Sequence, residues 1–241
     1  MPEEITAEST SAASGMLGMF NAFVDPSGLA KAARAKLFWL WPLITVSIIY
    51  IVLGYLMLPY TLQLVDLKMS ERAAQQGVPA ERLESMKNAA HMFSQVGPVL
   101  TPVGIIVIVA LMAWLVTVVG SMVDLRVKFR DAFSLLAGCS LIRSLQFIAT
   151  YVVVRTKGDE ITSPEQLMPP FGLDIFVSGA HGMLLSLLNF FSIFQIWYIV
   201  ILGLALAAFT GSSKGKAFFA ITPAWLIPLI FALIGGLFSG S

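Results

Sequence analysis

Residues 99–119 read VLTPVGIIVIVALMAWLVTVV, a run without one charged side chain. The hydrocarbon core of a bilayer is about 30 Å thick and takes about 20 mostly apolar helical residues to cross. Lipid offers no hydrogen-bond partner to the backbone, so a run of this kind crosses as a helix. The same criterion selects four more candidate spans: Leu37–Leu58, Ala132–Val154, Phe190–Phe209 and Phe218–Phe238. The chain as a whole is 57% apolar and 12% charged, and its mean hydropathy is +0.84. That leaves too little polar surface for a soluble globule of 241 residues. The expected fold class is an all-α integral membrane protein, a bundle of about five transmembrane helices with an amphipathic outer-loop helix and an N-terminal interfacial segment.

Three regions follow: a disordered polar leader over 1–15, an interfacial cytoplasmic segment over 16–36, and a five-span domain over 37–238. The leader, MPEEITAESTSAASG, lacks a basic n-region and an apolar h-region. It does not read as a cleavable signal peptide, and the first span is expected to remain as an anchor. A formal charge of +1 with no long Lys/Arg block sets nucleic acid aside as a partner. The single Cys139 cannot form an internal disulfide and says nothing about redox compartment.

Lys and Arg near span ends set orientation. Lys31, Arg34 and Lys36 precede the first span, Arg126, Lys128 and Arg130 follow the second, and Lys214 and Lys216 follow the fourth. Placing these short basic segments inside puts the N-terminus in the cytoplasm and the C-terminus outside, in a bacterial inner membrane. The outer side then receives residues 155–174 and a loop from Pro59 to Gly97, in which basic and acidic residues balance. Pro79 can begin a helix in that loop, with Leu83, Met86, Ala90 and Phe93 on one face. Such a helix lies on the bilayer or leans on the bundle. Residues 176–188, FVSGAHGMLLSLL, are either an interfacial or re-entrant piece or an extension of the fourth span.

Before the first span stands FNAFVDPSG, residues 20–28. Met16, Leu17, Met19, Phe20, Phe23 and Val24 recur at helical spacing, which suits the cytoplasmic headgroup region, and Asp25-Pro26 ends the segment. Within the bundle, association rests on small residues that let helices approach. Ser134 and Gly138, then Gly203, Ala207 and Gly211, then Gly236 and Gly240, supply that spacing in the third, fourth and fifth spans. Pro223 and Pro228 should kink the fifth span.

Arg143 stands near the midpoint of the third span, where a charge costs at least about 2.5 kcal/mol. No Asp or Glu lies in another span, which argues against a proton relay or a charge-pair transporter. Its expected partners are Gln146, Asn189, Gln195, backbone carbonyls or a lipid phosphate, in a structural role or as a contact for an anion or lipid headgroup. His91 and His181 are the chain's histidines, and neither their spacing nor Asp174 makes a metal set. No phosphate loop, nucleophile triad, HExxH or paired cysteines occur. The polar segments are also too short for a soluble catalytic domain. No enzyme activity and no cofactor are expected.

The order of parts resembles a known family. An aromatic-Asp-Pro opening, a cytoplasmic leader, five spans, VKFRDAFSLL after the second span and the late FSIFQIWYIVILGLALAAFTGSSKGKAF are together similar to the Yip family, the Ypt/Rab-interacting membrane proteins, in their short-leader bacterial form. The resemblance runs from about Phe20 to Phe238. It rests on Phe23, Asp25 and Pro26, on Phe129 and Arg130, and on Trp197, Gly203, Lys214 and Lys216. It implies a membrane adaptor that, in eukaryotic members, engages small GTPases through its leader. The short, low-complexity leader here lacks an evident docking element, which argues against a GTPase partner.

Two functional expectations result. The first is a non-enzymatic adaptor, assembly factor or accessory subunit of a membrane complex, in membrane trafficking or organisation, whose partners are the bilayer, anionic headgroups and a membrane protein or second copy. The second is a small transporter or permease component with a midplane site near Arg143.

Overall fold

The computed structural model describes residues 16–157, 167, 171–177 and 179–239, so the polar leader, most of the loop after Lys157, and Gly240 lie outside the described residues. The helices are α1 (Asn21–Val24), α2 (Pro26–Ala32), α3 (Leu40–Gln76), α4 (Ala80–Ser121), α5 (Phe129–Lys157), α6 (Gly182–Phe190), α7 (Ile193–Thr210), α8 (Lys214–Ala220) and α9 (Thr222–Ser239), with a 3₁₀ turn over Leu173–Phe176. Among the described residues there is no strand. Helices α3, α4, α5 and α7 are each long and apolar enough to cross a membrane, and α8 with α9 makes a fifth if the bent pair is one span. The protein is an all-α membrane protein.

The pair α8 and α9 meets at 41°. The break falls at Ile221, just before Pro223, whose ring and missing N–H disfavour continuing the preceding helix. Pro228 lies inside α9 without ending it.

The main departure from expectation concerns residues 59–97, read above as an outer loop carrying a separate amphipathic helix. Pro59 sits inside α3, and Pro98 and Pro102 sit inside α4, without ending either helix. The helix that begins behind Pro79 is the first part of α4 itself. The reversal between α3 and α4 takes only residues 77–79, where Gly77 adopts φ 63° and ψ 33°, a left-handed conformation that glycine reaches without penalty. At 1.5 Å per residue, α3 with 37 residues and α4 with 42 are about 55 and 63 Å long, roughly twice a hydrocarbon core. The two helices touch along the hairpin. Gly54 lets Pro98 approach so closely that a Cβ there would lie 3.0 Å from the Pro98 Cβ. Farther out, the His91 imidazole meets Asp66 Oδ1 at 2.8 Å.

Helix α5 is the centre of the bundle: 61% of its most apolar stretch is buried, against 28% for α3 and α4 and 44% for α7. It packs on α3, α4 and α7. Small residues permit this. A Cβ on Gly138 would stand 2.8 Å from Leu29 Cδ1, one on Gly203 would strike the Phe218 ring at 2.7 Å, and one on Gly236 would reach the Met183 Cα at 2.9 Å. Gly138, Gly203 and Gly236 are therefore sites of close approach, joining α5 to the N-terminal segment, α7 to α8, and α9 to α6, whereas Gly211, expected in the same seam as Gly203, caps the end of α7 with nothing within 4 Å of where its Cβ would stand.

The N-terminal segment is two-sided. Met19, Ala22, Leu29, Ala33 and Phe38 enter the main core, while Met16, Leu17, Phe20 and Val24 stay exposed. Residues 182–190 form their own helix: α7 restarts at Ser192, whose hydroxyl accepts from Gln195 N at 3.2 Å. Continuous extension of the fourth span is thereby replaced by a helix packed on α9.

Candidate functional site

Arg143 lies fourteen residues from either end of α5 (143 − 129 and 157 − 143). A permanently charged guanidinium at the middle of the most buried helix must find compensation. Its Nη2 donates to Gln195 Oε1 at 3.3 Å, and its Cζ lies 4.7 Å from the centre of the Tyr198 ring. Both partners come from the first turns of α7, three residues apart and so on one helical face. Ser192 and Gln195 have the spacing of a capping box, and Ser192 accepts as such a cap would. The Gln195 amide oxygen instead receives Arg143. Gln195 is 4% exposed, and its Nε2 has no hydrogen-bond partner among the described residues.

Beside Arg143 lies a cavity of about 520 Å³. Helix α5 contributes Arg143, Gln146, Phe147 and Thr150 to its wall; α3 contributes Tyr50; α6 contributes Ser186, Asn189 and Phe190; α7 contributes Gln195; and the end of α9 contributes Ala232, Gly235 and Gly236. A second cavity of about 340 Å³ between α3, α4 and α5 shares Tyr50 and Arg143 with the first. Tyr50 stacks on Phe147 with ring centres 4.8 Å apart. Of the expected partners of Arg143, Gln195 makes the contact, whereas Gln146 and Asn189 share the cavity wall. Tyr50 and Tyr198 were not singled out in the sequence, because in an apolar span a tyrosine looks like any packing aromatic.

A second constellation gathers the opening motif. Asp25 caps α2, accepting from Gly28 N at 2.9 Å, and Pro26 takes the first helical position. Phe23 lies 6.0 Å from Trp197 between ring centres, and the Trp197 indole N–H donates to the Phe23 carbonyl oxygen at 2.9 Å. Farther along α7, Gly203 receives Phe218. The C-terminal end of α7 is met by Arg34, which donates to Phe209 O at 2.9 Å and lies 4.7 Å over its ring. A cation there also complements the helix dipole.

The remaining residues do not join these groups. Phe129 is 46% exposed and stacks on Phe133 at 5.9 Å, which in turn meets Trp39 at 5.7 Å. Arg130, Lys214 and Lys216 are exposed, and none has a carboxylate within 4 Å among the described residues. No group of three or more His, Cys, Asp or Glu able to hold a metal occurs among the described residues. His181 is the N-cap residue of α6, and His91 belongs to the α3–α4 hairpin, where it pairs with Asp66.

Comparison with known proteins bears on the whole arrangement. The chain is 26% identical over 219 residues to the membrane protein YknW of Bacillus subtilis (strain 168), covering 91% of this chain and 90% of that one. No solved structure matches it. The family model described as the Yip1 domain matches residues 20–236, from the aromatic-Asp-Pro opening to the glycine pair that lines the cavity. The chain belongs to the Yip1 domain family.

Proposed function

We propose that this Yip1-domain protein is a non-enzymatic membrane component that works by contact, as an adaptor, assembly factor or accessory subunit of a larger membrane complex, in membrane trafficking or organisation. One observation carries the reading: the α3–α4 hairpin continues past the apolar stretches. Beyond Leu64 and Ser94, which still face α5 and Leu167, residues 65–76 and 80–93 continue for about 20 Å. This arm is mixed in character. It carries Lys68, Glu71, Arg72, Glu81, Arg82, Glu84 and Lys87 beside exposed Met86, Met92 and Phe93. A long exposed two-helix arm of mixed chemistry suits docking better than catalysis.

Chain direction supports the orientation proposed for the bacterial inner membrane. The short connections before α3, between α4 and α5, and between α7 and α8 fall at one end of the up-and-down bundle. They hold Lys31, Arg34, Lys36, Arg126, Lys128, Arg130, Lys214 and Lys216. That end faces the cytoplasm and anionic headgroups, and the hairpin projects on the opposite side. Purification from native membranes in mild detergent, with photocrosslinkers at Phe93 in the arm and at Lys128 in the basic turn, tests the reading. A reproducible stoichiometric partner, a second copy included, is expected. Contacts with lipid alone at both sites would end it.

A second reading is favoured by the cavity beside Arg143: a transporter or permease component with its site at the middle of the bundle. Polar side chains converging at that depth are what such a site requires. Reconstituted protein that supports Arg143-dependent solute flux would select this reading over the first.

A further inference from the structure

The cavity pair around Arg143 has a polar half and an apolar half. In the polar half, Arg143 is met by a neutral amide oxygen and a neutral ring. No carboxylate lies within 4 Å of it among the described residues. A second donor, Gln195 Nε2, sits beside it in the wall, buried and without an acceptor among the described residues. Gln195 stands in the first turn of α7, where the helix dipole also favours negative charge. Three independent sources of positive potential thus converge at a depth where the surroundings screen little. The chemical group that completes them is an anionic oxygen headgroup, which can accept from a guanidinium and an amide together.

The other half is of different character. The chamber between α3, α4 and α5 is lined by Val46, Ile105, Ile108 and Val109, and it reaches Arg143 and Tyr50 from the far side. Ile108 is 51% exposed, and Gly104 is exposed on the same stretch of α4. The chamber therefore communicates with the outer surface of the bundle, which in a membrane is lipid. Its volume and that of the polar chamber fall in the range of small-molecule sites. A free anion would have to cross apolar surroundings to arrive here, whereas an amphiphile is already dissolved in them.

We propose that these two chambers form one site for a single-chain anionic amphiphile, its carboxylate or phosphate head on Arg143 and Gln195 and its alkyl chain in the chamber between α3, α4 and α5. The site is the one on which the transport reading rests, but it requires binding only. Binding without flux would keep this proposal and remove the transport reading.

The test uses the full chain in nanodiscs of zwitterionic lipid, with a palmitate carrying a diazirine near its terminal carbon as probe. Saturable labelling that maps to residues 104–109 is expected, displaced by unlabelled palmitate and by a lysophosphatidate. The ratio of the two competitors tells whether the head preferred is carboxylate or phosphate. Arg143→Gln should lower labelling at least about tenfold, as loss of a charged hydrogen bond implies, while Arg143→Lys should retain most of it. Gln195→Glu supplies an internal carboxylate to Arg143 and should abolish labelling while keeping the bundle folded, a readout that survives even if Arg143→Gln does not fold. Equal labelling of folded Arg143→Gln or Gln195→Glu would overturn the proposal. So would equal displacement by hexadecylamine, which means a groove without head selectivity. Displacement by acetate or inorganic phosphate at the same concentrations would overturn it in favour of a soluble anion.

Discussion

The indole N–H of Trp197 donates to the carbonyl oxygen of Phe23 at 2.9 Å, joining residues 174 positions apart. Trp197 follows Gln195 by two residues, so the helix turn that meets Arg143 also holds the amino-terminal segment. The aromatic-Asp-Pro motif thereby acquires a physical role. Asp25-Pro26 starts α2 at a fixed angle, and Phe23 is clamped on α7 before that turn.

Trp197→Phe keeps an aromatic ring on Phe23 but leaves a carbonyl oxygen without its donor. Loss of such a bond costs about 0.5–1.5 kcal/mol. Trp197→Ala removes the ring as well and should cost about 3–5 kcal/mol. Hydrogen exchange over residues 16–33 should rise in both variants, more in the second, and earlier than exchange in α5. Unchanged protection of that segment would show that the clamp contributes nothing.

Gly203 tests the seam between α7 and α8. A methyl at this position meets the Phe218 ring at 2.7 Å, and overpacking of this kind costs about 1–3 kcal/mol. Gly203→Ala should lower the thermal midpoint in detergent. Phe218→Leu, introduced beside it, should recover part of the loss, because the obstructing ring is gone. The coupling between the two is read from a double-mutant cycle; strict additivity would mean that the rings and backbone relax elsewhere.

Arg34 is exposed, yet it closes the end of α7 through a hydrogen bond to Phe209 O and a stacked ring. Arg34→Ala should destabilise by about 1–2 kcal/mol. Arg34→Lys should recover only part of this, since an ammonium lacks the planar fork that serves carbonyl and ring together. Thermal unfolding of the purified chain measures both; equal loss in the two variants would indicate that geometry, rather than charge, dominates.

Orientation is read by cysteine labelling. Cys139 is fully buried, so the native background is low. A membrane-impermeant maleimide applied from outside should label Arg82→Cys or Glu84→Cys in the hairpin and leave Lys128→Cys and Lys214→Cys untouched until the cells are opened. The opposite pattern would invert the topology.

The His91–Asp66 contact joins two partly exposed side chains, and pairs of this kind contribute about 0–1 kcal/mol. His91→Ala should leave overall stability nearly unchanged. Local opening of the arm, followed by protease nicking near Gly77, is the more sensitive measure and should increase.

Much of the architecture could be read from the chain because a membrane restricts the choices. Residues 99–119 have no polar exit for their backbone, so their helical state follows from composition. Arg143 stood out for the same reason: one permanent charge in the middle of an apolar run has no neutral explanation. The spacing of Gly138, Gly203 and Gly236 marked faces of close approach, although not the residues that would fill them. The arm was misread because Pro59, Pro98 and Pro102 look like boundaries, and a balanced run of charges looks like a loop. Side-by-side packing of α3 and α4 lets both helices run through those prolines, and only residues 77–79 reverse the chain.

The sequence by itself determined that this is a helical membrane protein of the Yip1 domain family and that a charge sits deep in its third span, since hydropathy and solvation act on each segment before it meets any other. The tertiary structure alone decided what that charge meets. Gln195, Tyr198, Tyr50 and the glycine pair of α9 gather around Arg143 and its cavity from three other helices, at separations no periodicity encodes. Contacts between helices depend on how their side chains pack, and that is settled only when all of them are in place.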